Sequence, residues 1–82
     1  MKNIYKYFAD LSIISTIENP YRVVVYDYDK KNMYTMNSDS LKWFISDSLY
    51  VDYLFGKDDL KEITEEKAKE IVKRWGGEWL IT

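Results

Sequence analysis

The sequence predicts an α+β fold in which an antiparallel sheet carries about three helices. One stretch near the end of the chain keeps the 3.6-residue spacing of an amphipathic helix. A run of β-branched and aromatic residues over positions 21–29 is typical of a strand. The segments between such elements are short, so we expect residues 1–82 to form a single α+β domain.

The first element, over residues 4–17, is ambiguous. Ile4, Phe8 and Leu11 keep helical spacing, whereas the run SIISTI is rich in β-branched residues. We favour a helix that ends before Pro20, because the residue in front of a proline disfavours the helical region.

Residues 21–29, YRVVVYDYD, form the best-defined strand of the sequence. Its first half is apolar at successive positions, as in a central strand that is covered on both faces. Residues 29–32, DKKN, favour a turn, since Asp and Asn are turn residues. Residues 33–36 are then expected to return as the second strand of a hairpin.

The middle of the chain predicts one helix and two strands. Ser38 and Asp39 can cap a helix over 40–48, where apolar residues keep helical spacing. The run YVDYLF, 50–55, predicts a strand, and after a turn LKEI, 60–63, predicts its partner strand.

The helix over 65–75 has consistent signals at both ends. Thr64 is the expected N-cap, and Gly76 supplies the left-handed residue that ends the helix. Its apolar stripe consists of Ala68, Ile71, Val72 and Trp75. EWLIT, 78–82, alternates and predicts a last short strand.

The composition lacks two of the side chains that most often act in active sites. The chain contains no cysteine and no histidine, so it lacks thiolate ligands, imidazole ligands and the commonest general base. We therefore expect no enzymatic activity, no cofactor and no metal. The start of the chain lacks the pattern of a signal peptide, and no stretch has the length of a membrane span, so we expect a cytoplasmic protein that does not bind membranes.

Charge is unevenly distributed along the chain. Residues 39–66 hold eight acids against three lysines, whereas residues 67–82 are net positive by two. Because no basic stripe is present, we expect no direct binding to nucleic acid.

The eight tyrosines outnumber the three phenylalanines, and this excess indicates an interface. Tyrosine is favoured at interfaces because it is large, rigid and tolerant of water. We predict a protein-binding face on the hairpin and the acidic stretch, made of Tyr26, Asp27, Tyr28, Asp29, Tyr34, Asp52, Asp58, Asp59 and Glu62. A cation held by Asp58, Asp59 and Glu62 is the weaker interpretation, because such a cluster is more often a solvated turn.

The functional prediction is a small protein-binding module that inhibits or modulates a larger host protein. In composition the chain resembles small phage-borne proteins that inhibit host machinery. If the target handles nucleic acid, the acidic residues could occupy a basic groove in place of phosphates. A protein of the anti-CRISPR type or another anti-defence type would fit that description. The alternative is a structural homodimer or assembly subunit without inhibitory activity.

Overall fold

Five antiparallel strands and two helices make up the part of the chain that the structure describes, which is residues 4–12, 15–56 and 59–80 of a computed structural model. The elements are β1 (Tyr5–Asp10), β2 (Arg22–Asp27), β3 (Asn32–Met36), β4 (Phe44–Ile45), α1 (Asp47–Leu54), β5 (Leu60–Ile63) and α2 (Glu65–Trp75). The strands form one sheet in the order β4-β3-β2-β1-β5. The predicted α+β class is confirmed, with two helices on the sheet where about three were expected.

A helix covers each face of the sheet. On one side, called the α1 face, the buried core consists of Phe8, Val24, Tyr26, Met33 and Leu49. On the other side, called the α2 face, it consists of Val23, Met36, Ala68, Ile71 and Val72. The prediction of a central strand covered on both faces is confirmed, because all three consecutive valines of β2 are fully buried.

Helix α2 matches its prediction at both ends. It spans Glu65–Trp75, and the side chain of its N-cap, Thr64, accepts a hydrogen bond from the Lys67 backbone N–H at 3.1 Å. Gly76 ends it with φ of 90°, a left-handed conformation that glycine adopts without a Cβ penalty.

The predicted helix over 4–17 is wrong, because Tyr5–Asp10 form strand β1 between β2 and β5. Phe8 faces the α1 core and Tyr7 the α2 core, which is the two-residue period of a strand. The helical spacing of apolar residues was coincidental, and pairing on both sides decides the conformation. Positions 13 and 14 of the predicted helix lie outside the described residues.

The middle of the chain also differs from its prediction. The predicted helix over 40–48 is replaced by a turn and the short strand β4, and the predicted strand over 50–55 lies largely in α1. Asn37 explains the turn, since its side chain accepts hydrogen bonds from the backbone N–H groups of Asp39 and Ser40. The strand over 60–63 is confirmed as β5, although its partner is β1.

The stretch 78–80 does not form the predicted last strand, and positions 81 and 82 lie outside the described residues. Trp79 covers part of the α2 face instead. Its ring centroid lies 5.7 Å from that of Trp43 and 6.0 Å from that of Tyr7, and the Trp43 Nε1–H donates to the Glu78 carbonyl at 2.7 Å. Aromatic packing against the sheet therefore replaces a further strand.

Candidate protein-binding surface

Tyr26, the first predicted binding residue, lies in the core. Its side chain is 5% exposed, and its ring centroid lies 4.4 Å from that of Tyr28 and 5.5 Å from that of Tyr53. Burial, followed by the nearby Tyr50 hydroxyl, raises the pKa of Tyr26 to about 12. This burial argues against Tyr26 as a member of the predicted protein-binding face, because its side chain offers little surface to a partner.

Asp27 is also buried, and it shapes the hairpin. Its carboxylate accepts hydrogen bonds from the backbone N–H groups of Asp29 at 3.0 Å and Lys30 at 3.2 Å. This is the arrangement by which aspartate fixes a turn. Lys31 completes the turn with φ of 56°, and Asp29 is exposed at the tip. Asp27 therefore positions the turn, whereas Asp29 remains accessible.

Tyr28 and Tyr34 are half-buried on opposite faces of the sheet. Tyr28 packs against the core of the α1 face, and the Lys6 Nζ lies 6.0 Å from its ring centroid. Tyr34 pairs with Val25, so strand alternation places it on the α2 face. The two tyrosines predicted to act together therefore belong to different surfaces.

The acidic residues of the predicted site are spread over several elements. Asp52 is exposed on α1, Asp59 is exposed beside β5, and Glu62 is exposed on β5. The Glu62 carboxylate lies 3.9 Å from the Lys6 Nζ. The Tyr28 hydroxyl and then Glu62 raise the pKa of Lys6. Asp58 lies outside the described residues.

Helix α1 provides a surface that the sequence prediction did not include. The Ser46 hydroxyl caps its start by accepting from the Leu49 backbone N–H at 3.2 Å. The helix then crosses the strands in turn. The Ser46 N–H donates to the Met33 carbonyl of β3 at 2.9 Å, and the ring of Tyr53 lies 5.4 Å from that of Phe8 in β1.

The outer side of α1 is apolar. Leu49 is buried beneath the helix, while Val51 is 48%, Leu54 is 59% and Phe55 is 72% exposed. Val51 and Leu54 are three residues apart, which puts them on one side of α1, and Phe55 follows directly as the C-cap residue. The helix contains Asp47 and Asp52 but no lysine or arginine, so this apolar surface carries only negative charge. We call Asp47, Val51, Asp52, Leu54 and Phe55 the α1 outer surface.

Helix α2 shows what a helix on this sheet looks like when its outer side faces water. It buries Ala68, Ile71 and Val72. Its outer positions form ion pairs between neighbouring turns, such as Lys69 with Glu65 at 3.4 Å and Arg74 with Glu70 at 3.4 Å. A helix that covers one face of a sheet normally has this polar outer side, so the apolar outer surface of α1 is a specific feature of that helix.

No group of three or more acidic side chains in residues 4–12, 15–56 and 59–80 is arranged to hold a metal ion. No helix within those ranges is long and apolar enough to cross a membrane. Comparison with protein families, curated proteins and solved structures found no match.

The sequence did contain a signal for the α1 outer surface. Ser46 is a residue type that suits an N-cap, and 49–55 contains two interleaved helical stripes. The stripe that includes Leu49 is buried or half-buried, and the other is exposed. Because apolar residues occupy both stripes, the segment lacks the amphipathic contrast that identifies a helix, and it resembles a strand.

Proposed function

We propose that this chain is a non-enzymatic protein-binding module that docks on a larger protein through the α1 outer surface. The observation that carries the proposal is that Val51 and Leu54, on one side of α1, and Phe55, at its C-cap, are all exposed. Single exposed apolar residues are common on protein surfaces, whereas grouped ones mark interaction sites. An i, i+3, i+4 set of apolar anchors is also the pattern by which a helix binds a groove.

The charge of α1 supports a partner of particular chemistry. Asp47 and Asp52 flank the apolar side chains, and α1 contains no cation. A complementary groove would be apolar at its centre and basic at its rim. Proteins that bind nucleic acid have basic side chains of this kind, which contact the phosphates. The proposal therefore extends to an inhibitor or modulator of a host complex of that kind, including the phage-borne, anti-CRISPR type.

The experiment that tests this function uses a matched pair of exposed apolar residues. A photo-crosslinking amino acid at position 51 identifies the partner in cells, and calorimetry with the purified partner measures affinity. Leu54 is 59% exposed on α1, and Ile4 is 61% exposed next to β1. Leu54→Gln should weaken binding by about tenfold or more, because anchor truncations of about 2 kcal/mol are typical.

The control Ile4→Gln should leave the affinity unchanged, and both variants should keep the melting temperature of the parent. Equal affinities for Leu54→Gln, Ile4→Gln and the parent would show that α1 does not form the binding surface.

A structural homodimer remains the second candidate function, and the exposed edge strand β4 favours it. Phe44 and Ile45 are each about half exposed there, at 49% and 50%. In that case the dimer itself would be the functional form, and no larger partner would bind at α1.

A further inference from the structure

Strand β4 forms one edge of the sheet, and no further strand of the described residues pairs with it. The Ser46 N–H donates to the Met33 carbonyl at 2.9 Å, so residue 46 faces β3. Inward and outward backbone groups alternate along an antiparallel strand. Phe44, opposite Thr35, therefore also faces β3, and the N–H and C=O of Ile45 point outward from the sheet.

The opposite edge of the same sheet is protected by charge. The Leu11 N–H donates to the Asp59 carbonyl at 2.9 Å, so by the same alternation Glu62 of β5 points its backbone groups outward. The side chains of Lys61 and Glu62 are exposed at that edge, and charged side chains oppose pairing with a further strand. At β4 the corresponding side chains are Phe44 and Ile45, which carry no charge.

We propose that β4 pairs with β4 of a second copy of this chain, joining two five-stranded sheets into one continuous antiparallel sheet. A two-fold axis perpendicular to the sheet at Ile45 lets the two Ile45 residues exchange both N–H···O=C hydrogen bonds. This is the hydrogen-bonded pair of an antiparallel ladder. The interface uses the same patch on both copies, as a two-fold dimer requires.

The side chains beside the two-fold axis suit this pairing. Centring the two strands on Ile45 puts the two Ile45 side chains opposite each other and Phe44 of each copy opposite Ser46 of the other. Phe44 and Ile45 are about half exposed in the single chain, at 49% and 50%. No charged side chain opposes the pairing at these positions, and facing apolar side chains stabilise paired strands.

The dimer would present two α1 outer surfaces together. A two-fold axis perpendicular to the sheet keeps the α1 face of both copies on the same side. Helix α1 begins at β4 and runs towards β1, so the two helices point away from the axis and their outer surfaces stay accessible. This consequence rests on the proposed function and would give the module two linked binding sites, which raises avidity without new contacts.

The test measures mass in solution by sedimentation equilibrium over concentrations from about 1 µM to about 1 mM. The parent chain should shift from the monomer mass towards twice that mass as concentration rises. Ile45→Pro removes an outward N–H, and proline is tolerated at such edge positions. This variant should weaken dimerisation by about tenfold or more, since two hydrogen bonds at the axis are lost, and it should keep the parent melting temperature.

The matched control is Glu62→Pro, which removes an outward N–H at the protected edge and should leave the dimer intact. If the Ile45→Pro chain does not fold, Ile45→Lys should weaken the dimer, because a charged side chain opposes pairing with a further strand. A parent chain that stays monomeric throughout the concentration range overturns the proposal, as does a dimer that neither Ile45→Pro nor Ile45→Lys weakens. If the Ile45→Pro chain is monomeric and still binds a partner, the proposed function of α1 holds independently of the dimer. If the dimer forms but binds no partner, only the proposed function of α1 is contradicted.

Discussion

Four tyrosines pack against one another on the α1 face. Tyr26 packs against Tyr28, Tyr50 and Tyr53, with ring centroids 4.4 to 5.8 Å apart. The Tyr50 hydroxyl contributes to raising the pKa of Tyr26, and burial and then the Tyr28 hydroxyl raise the pKa of Tyr53. A buried tyrosine hydroxyl requires a polar partner. The raised pKa values of Tyr26 and Tyr53 therefore follow from burial and from neighbouring tyrosines of the same cluster.

The raised pKa of Tyr26 predicts a loss of stability at alkaline pH. The pKa rises from its ordinary value of 10.0 to about 12, so the folded state disfavours the phenolate. The associated stability is fully present below the unfolded pKa and is lost as pH rises from about 10 to about 12. Tyrosinate absorbance and circular dichroism should be followed together as pH rises. Part of the absorbance change that reports tyrosine ionisation should appear only as the chain unfolds.

Tyr26→Phe is the control for that titration. It removes the ionisable hydroxyl, so the variant should lose less stability between pH 10 and 12 than the parent does. Identical pH profiles for the two chains would show that Tyr26 does not carry the effect.

The different environments of Asp27 and Asp29 predict different effects of truncation. Asp27→Ala removes the acceptor of two backbone N–H groups in the hairpin turn. We expect a loss of about 1–3 kcal/mol, the usual range for leaving such groups unsatisfied. Asp29→Ala changes an exposed tip residue and should stay within about 0.5 kcal/mol of the parent. Urea denaturation measures both, and equal losses would contradict the role of Asp27 in the turn.

At the scale of elements, prediction succeeded where local and tertiary preferences agree. Helix α2 has a cap at each end and a polar outer side, so its sequence determines it. Strand β1 and helix α1 depend on pairing with, and burial by, residues that are distant in the sequence. Their local patterns predict the opposite element in each case, a helix for β1 and a strand for α1. The same limitation applies to the candidate surface. The acidic Asp52 was predicted, whereas Val51, Leu54 and Phe55 were missed because the segment was assigned to a strand.

Helix α2 should account for a large part of the stability of the fold. Ile71 is fully buried on the α2 face, and Ile71→Ala should cost about 2–5 kcal/mol. Lys73 is exposed on the same helix, and Lys73→Ala should change stability by less than about 0.5 kcal/mol. Thermal melts compare the two, and a small effect of Ile71→Ala would place the main core elsewhere.

At the scale of the whole molecule, charge predicts no tight binding to nucleic acid. The net charge is −2, and the cations Lys67 and Arg74 of α2 form ion pairs with Glu18 or Glu70. A gel-shift assay at about 0.1 M salt should show no submicromolar complex with DNA or RNA. The double variant Asp47→Lys and Asp52→Lys should bind more tightly than the parent. A submicromolar complex formed by the parent would contradict this prediction.

The position of β1 also has a consequence for the order in which the chain can fold during synthesis. Tyr7 pairs with Val25 on one side but with Ile63 on the other. Synthesis produces the first partner strand, β2, long before the second, β5. Until β5 is available, the side of β1 that will meet it has no partner strand among the described elements, and such nascent intermediates are prone to misassociation. Pairing over so long a separation in sequence slows folding, so the sheet can be completed only after residues 60–63 have left the ribosome.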